Sequence, residues 1–259
     1  MEFHQELTHY GVKGMRWGVR KKHEPSDFKS SKNAAKKDVD YKDYGDGRIE
    51  IKKGTNLQRL VGSNNKRDLA GETYASFTKY DNNSYIKNIA GKGFLGGGRD
   101  TILKLKTTED LKSPSTKEAG QTFFKVLKDN PNLRDEYSKT AFGRKYSDKE
   151  LDKFISGKSD KAMLEEYKMA NSQFMFSSTN NVKKEFYKQI QANGYNMIRD
   201  ENDVESGYAK SPIILLDGSK SLKIESQSKI DDRMRKEAKE YVKLHKRRGE
   251  DWMRSNGFM

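Results

Sequence analysis

The chain has 259 residues, with 52 Lys and Arg against 38 Asp and Glu, a formal net charge of +14 and no Cys. This composition excludes a disulfide framework and a Cys-ligated metal site, and the sequence holds no apolar run long enough for a transmembrane helix. Charged residues (35%) outnumber apolar residues (32%), which predicts a compact centre with polar ends. The basic excess favours polyanions as neighbours, either nucleic acid, an anionic membrane or an acidic protein surface.

Residues 1–47 are predicted to form an extended polar tail, with the composition of a linker from Lys22 to Tyr44. The strands that follow share an alternation of apolar and polar residues or a high content of β-branched and aromatic residues. They are predicted at 48–52, 57–61, 72–78 and 101–105.

The middle of the chain is predicted to be helical, because its apolar residues recur at three- and four-residue spacing. Helices are predicted over 118–128, after Ser147, after Asp160 and over 180–192. Ser147 followed by Glu150 is the pattern of a capping box.

Strands return after Gly194. Residues 195–199 form one predicted strand, and 212–216 are apolar on both faces, which predicts a central strand covered on both sides. Residues 221–225 alternate and are predicted to be an edge strand. The tail from Ile230 to Arg248 is predicted to be a basic helix whose narrow apolar stripe suits a surface or a partner.

This order of strands, helices and strands predicts an α+β fold with a single central mixed or antiparallel sheet and an inserted helical segment. The predicted domain spans 48–226. It is flanked by the extended N-terminal tail, 1–47, and by a basic C-terminal helix and tail, 227–259.

One motif stands out in the N-terminal tail, at residues 9–21: His-Tyr-Gly-Val-Lys-Gly-Met-Arg-Trp-Gly-Val-Arg-Lys. Its glycines permit backbone conformations closed to other residues, and Trp and Arg are typical anchors of protein interfaces. The motif indicates a docking peptide that orders on a partner and buries Trp17 there. The alternative is that Met15 and Trp17 fold back onto the main body. The predicted docking residues are His9, Tyr10, Gly11, Gly14, Met15, Arg16, Trp17, Gly18 and Arg20.

This segment resembles the H-x-G-V-x-G-M-K/R-W-G-V-R motif near the termini of phage and prophage proteins of Gram-positive bacteria, which are usually encoded among head and virion genes. The resemblance implies a head-associated or internal virion protein that docks to capsid or portal proteins. Its location would be the virion, and the host cytoplasm during assembly or after delivery. Its basic surface would tolerate contact with packed DNA without reading the sequence.

The main body resembles the ADP-ribosyltransferase-like domains attached to some phage head proteins. In that family an early strand carries an Arg that contacts the NAD phosphates, the next strand carries a Ser-Thr-Ser-like element, and a late acidic residue orients the ribose. The matching residues are Arg59, then Ser76 and Thr78 with Phe77 between them, then Glu201. An Arg suits a pyrophosphate, and a carboxylate would stabilise a cation-like ribose. The alternative is a structural sheet without an NAD site.

No metal site is predicted, because residues 200–203 lack the spacing of an EF-hand. The leading hypothesis is therefore a virion component that docks through its N-terminal peptide and uses no cofactor. An alternative is an ADP-ribosyltransferase-like effector that uses NAD to modify a host protein. A second alternative is a non-specific nucleic-acid-binding protein, for which affinity would fall steeply with salt.

Overall fold

The computed structural model describes residues 41–62, 69–77, 86–87, 99–140, 143–173, 180–201 and 213–255. The described helices and strands confirm the α+β class. In chain order they are β1 Tyr41–Asp43, β2 Ile49–Ile51, β3 Asn56–Gly62, β4 Thr73–Phe77, β5 Arg99–Thr107, β6 Leu111–Lys112, α1 Thr116–Asp129, α2 Pro131–Ser138, α3 Asp148–Ile155, α4 Asp160–Gln173, α5 Asn180–Ala192, β7 Met197–Arg199, β8 Ile213–Leu215, α6 Gly218–Ser221, β9 Leu222–Lys229 and α7 Asp232–Ser255.

The strands form two antiparallel sheets instead of the single sheet predicted. The larger sheet has the order β7-β8-β4-β3-β5-β9, so early and late strands do share it, and the smaller has the order β1-β2-β6. The smaller sheet packs on one face of the larger, because Ile49, Ile51 and Leu111 are fully buried in the same cluster as Leu57 and Phe77. This burial explains why three very short strands are stable as a separate sheet.

Strand β8 is covered on both faces, as its apolar sequence predicts. Ile214 belongs to the cluster formed with helices α1 to α5, whereas Ile213 and Leu215 belong to the cluster formed with the smaller sheet. Since successive side chains of a strand point to opposite faces, the larger sheet separates a helical layer from the smaller sheet.

The helical layer is organised around Phe123 of α1, which is fully buried. Among the described residues, its ring contacts those of Phe124, Tyr137, Tyr167 and Phe186 at centroid distances of 5.1 to 6.2 Å. These separations are typical of edge-to-face and tilted aromatic pairs. The periodic apolar residues of the middle segment therefore converge on one site.

The predicted capping box is confirmed, and two further helix starts, at Ser115 and Pro131, were not predicted. Ser147 and Glu150 form the predicted capping box at the start of α3, and Ser115 and Glu118 form a second one at the start of α1. Pro131, which follows the predicted helix over 118–128, begins α2, because the ring of Pro fits the first helical turn, where its missing N–H is not needed.

Both predicted domain boundaries fall inside the folded body. Strand β1 pairs with β2 through Tyr41 and Ile51, so the last part of the predicted linker belongs to the smaller sheet. Strand β9 continues past residue 226 to Lys229 and, as predicted, lies at the edge of the larger sheet. Both boundaries therefore shift because the strand at each one, β1 or β9, is paired with a neighbouring strand, β2 or β5.

Candidate functional site

The predicted docking residues, His9 to Arg20, lie outside the described residues, and so does Thr78 of the predicted NAD site. The structure does place Arg59, Ser76 and Glu201. Their positions indicate what the folded body contributes to a site.

Arg59 and Ser76 lie on opposite faces of the larger sheet. Gln58 is paired with Ser76 in the antiparallel register of β3 and β4, so these two side chains share one face, and the Gln58 amide is 3.5 Å from the Ser76 hydroxyl. Because side chains alternate along a strand, Arg59 points to the other face. The structure therefore does not bring these two residues together around one ligand.

Glu201 lies at the end of β7 and is almost completely buried, with 5% of its surface exposed. Its carboxylate accepts a hydrogen bond from the Thr116 hydroxyl at 2.7 Å, and its backbone N–H donates to the Asn171 side-chain oxygen at 2.9 Å. Strand β7 lies three strands away from β3, the strand of Arg59, which corresponds to about 14 Å at the usual spacing of strands. In this arrangement Glu201 ties β7 to helices α1 and α4.

A small cleft adjoins Glu201 at the N-terminus of α1. It is lined by residues that include Gly47, Thr116, Tyr167, Arg199 and Glu201, and its empty volume is about 170 Å³. Pockets that bind small molecules usually enclose roughly 300 to 1,000 Å³. The cleft is too small to be such a pocket, and its contacts instead join the turn between β1 and β2 to α1.

The Gly47 turn is fixed to α1 by hydrogen bonds that the sequence did not reveal. The Thr116 N–H donates to the Asp46 carbonyl oxygen at 2.9 Å. The Ser113 hydroxyl donates to the Gly47 carbonyl oxygen at 3.1 Å and accepts from the Ile49 N–H at 2.8 Å. These bonds join residues more than 60 positions apart in the chain, so local spacing gives no signal for them.

A mostly buried ion pair lies on the helical side of the sheet. The Lys183 ammonium of α5 is 2.7 Å from the Glu72 carboxylate, and the two side chains are only 16% and 19% exposed. The Tyr74 hydroxyl donates to the same carboxylate. Burial is the main cause that raises the pKa of Tyr74 far above its ordinary value, with Tyr187 and Glu72 adding to it. This network ties α5 to the start of β4.

The described ranges offer no group of three or more His, Cys, Asp or Glu residues that could hold a metal ion. Within the same ranges, no helix combines the length and the apolar character that a membrane span requires.

The fold and these contacts define an α+β body of two antiparallel sheets and a helical layer, with buried polar groups that join its elements. Residues 2–24 match a family of unknown function, DUF7211. No curated protein and no solved structure matches the chain.

Proposed function

We propose that this chain is a bacteriophage virion protein, head-associated or internal, that docks to capsid or portal proteins through its N-terminal peptide. It would be located in the virion, and in the host cytoplasm during assembly or after delivery. The folded body would be the cargo or spacer that the peptide anchors.

The observation that carries this proposal is the extent of the family match. It covers residues 2–24, which include the whole motif at 9–20, and it ends before strand β1 of the folded body begins at Tyr41. A family match that is confined to this segment favours a module separate from the folded body. Such a module suits a peptide that binds a partner and anchors the folded body to it.

The chemistry of the segment also supports docking. Between Glu6 and Glu24 the sequence has five Lys and Arg residues and no Asp or Glu. Tyr10, Met15 and Trp17 add a large apolar area. Aromatic and Arg anchors surrounded by charge are typical of the residues that carry most of the binding energy in interfaces, so the expected partner offers an apolar pocket with an acidic rim.

The first experiment tests whether the peptide is necessary. Particles are purified from a phage or induced prophage that expresses the wild-type chain, the Trp17→Ala variant or the Trp252→Ala variant. These are the two Trp residues of the chain, so the second variant controls for the loss of one indole. We expect Trp17→Ala to lower incorporation by about 30-fold, as for the loss of an interface anchor worth about 2 kcal/mol, and Trp252→Ala to leave it unchanged.

The second experiment tests whether the peptide is sufficient. Residues 1–24 are fused to an unrelated fluorescent protein and expressed during particle assembly, beside the same fusion with Trp17→Ala. Particles that retain the first fusion and exclude the second support the proposal. Equal incorporation of wild type and Trp17→Ala in both experiments would overturn it.

A further inference from the structure

The C-terminal helix α7 rests on the body through a narrow stripe. Met234 packs beside Leu60 of β3, Ile102 of β5 and Ile230, and Ala238 one turn later is 1% exposed. Residues 241 and 242 are half-buried, and 243 and 244 are exposed. The apolar side of the helix is thus already used by the body.

The opposite side of α7 carries a row of cations. Lys236, Lys239 and Lys243 are exposed and follow one another at three- and four-residue spacing, which places them on one face of a helix. At 1.5 Å per residue the row spans about 10 Å. Rotation by about 100° per residue places Lys236 roughly half a turn from Ala238, so the row points away from the sheet. We call these three residues the lysine row.

The described residues place no acidic partner beside the ammonium groups of the lysine row. Some exposed lysines elsewhere are paired, as Lys125 is with Asp129 and Lys139 with Asp135, whereas Lys149 and Lys153 of α3 form no side-chain ion pair among the described residues. On α7 itself Arg233 faces Glu237 at 3.9 Å. No side chain of the lysine row forms an ion pair or hydrogen bond within the described part of the chain, although Asp232 and Glu240 lie on the same helix.

The chemistry of this face favours a phosphate backbone over other polyanions. A helix that lies in a membrane interface presents a broad apolar face, whereas the apolar stripe of α7 contacts the sheet. A protein partner is usually anchored by aromatic or apolar residues, and near the row only Leu244, 47% exposed, lies to one side among the described residues. A second copy of α7 would bring like charges together.

We propose that the lysine row of α7 binds the phosphate backbone of double-stranded DNA without reading its sequence. The sequence continues the positive charge with Lys246, Arg247 and Arg248, while the helix runs on to Ser255. This surface is distinct from the N-terminal motif, and the inference does not depend on the proposed docking function.

The test measures the affinity of the full chain for a 30-base-pair duplex of arbitrary sequence by fluorescence anisotropy, between 50 and 200 mM salt. The variant replaces the lysine row with Lys236→Gln, Lys239→Gln and Lys243→Gln. Gln has a helix propensity close to that of Lys, so the helix is preserved. Each lost phosphate contact reduces the slope of log affinity against log salt by about 0.9. We therefore expect the slope to decrease by about 2 to 3 and affinity at 100 mM salt to fall at least about tenfold.

The matched control removes the same charge from the helical layer. The side chains of Lys149, Lys153 and Lys161 are exposed and form no ion pair or hydrogen bond among the described residues. Replacing all three by Gln therefore removes the same charge as the lysine-row variant. The control should keep the wild-type slope and change affinity less than threefold. Far-UV circular dichroism verifies that both variants fold.

Three outcomes would overturn the inference. The two triple variants could lose affinity equally, which would indicate a general charge effect, or the slope could stay unchanged in the lysine-row variant. The third outcome comes from parallel binding assays with phosphatidylserine vesicles and with polyglutamate. If the lysine-row variant lost binding to one of these probes and kept its binding to DNA, the surface would be assigned to a membrane or to an acidic protein.

Discussion

The sharpest prediction concerns Gly47, in the turn between β1 and β2. Its backbone has φ +95°, a conformation that costs an L-residue about 1 to 2 kcal/mol. A Cβ atom at this position would lie 2.7 Å from the Thr116 backbone nitrogen and closer still to the Thr116 hydroxyl oxygen. Thr116 cannot easily move, because its N–H and hydroxyl already bond Asp46 and Glu201.

Gly54 is the matched control for this position. Its φ is +89°, and a Cβ atom there would meet no atom within 4 Å. Gly54→Ala should therefore cost only the backbone penalty, about 1 to 2 kcal/mol. Gly47→Ala should cost a further 1 to 3 kcal/mol, roughly the penalty for forcing an extra group into a packed site. The entropy that Ala removes from the unfolded chain is the same for both variants and cancels.

The assay is urea unfolding followed by far-UV circular dichroism, with the free energy of unfolding taken at equal denaturant slopes. The expected order of stability is wild type, then Gly54→Ala, then Gly47→Ala. Equal destabilisation of the two variants would refute the close contact between the Gly47 turn and α1, and with it the anchoring of the smaller sheet on that helix.

Other predictions address the helical layer and its ion pairs. The hydrogen bonds from Ser147, followed by the Arg144 guanidinium, lower the pKa of Glu150 to about 2. The stabilisation that the ionised Glu150 carboxylate gives the folded state should be complete above pH 5 and lost as the pH falls towards 2. The free energies of unfolding of wild type and Glu150→Gln should therefore converge in acid. Lys183→Met should lower the free energy of unfolding by about 2 to 3 kcal/mol, because it leaves the Glu72 carboxylate mostly buried without its cation. Adding Glu72→Gln should restore part of that loss in a double-mutant cycle. A double variant less stable than Lys183→Met would contradict this. Phe123→Ala should cost about 3 to 5 kcal/mol in urea unfolding, and a cost below 1 kcal/mol would argue against the aromatic cluster.

Local patterns in the sequence predicted the helices and the longer strands well. The capping box at Ser147, the helix over 180–192 and the doubly covered strand β8 are all confirmed. Each depends on residues close together in the chain, where spacing alone determines which side chains share a face.

The smaller sheet could not be predicted in this way. Strands β1, β2 and β6 have three residues or fewer, which is too short for an apolar period to be recognised, and only Ile49 and Ile51 of β2 gave a signal. Their pairing depends on Leu111, which comes from a distant part of the chain. The ion pair of Glu72 with Lys183 was missed for the same reason.

The predicted NAD site shows where sequence order stops being informative. Arg59 and Ser76 follow the order of the resembled family along the chain, yet the pairing of Gln58 with Ser76 places them on opposite faces of the sheet. A difference of one residue in register exchanges the two faces. Order along a strand therefore does not determine whether two side chains share a site.

The sequence by itself determined the α+β class, the capped helices and a distinct N-terminal motif, because these depend on local spacing and composition. Only the tertiary structure decided that the described strands form two sheets, that Glu201 accepts a hydrogen bond from Thr116, and that the lysine row of α7 faces away from the body. These features depend on which surfaces pack together, and packing joins residues that lie far apart in the chain.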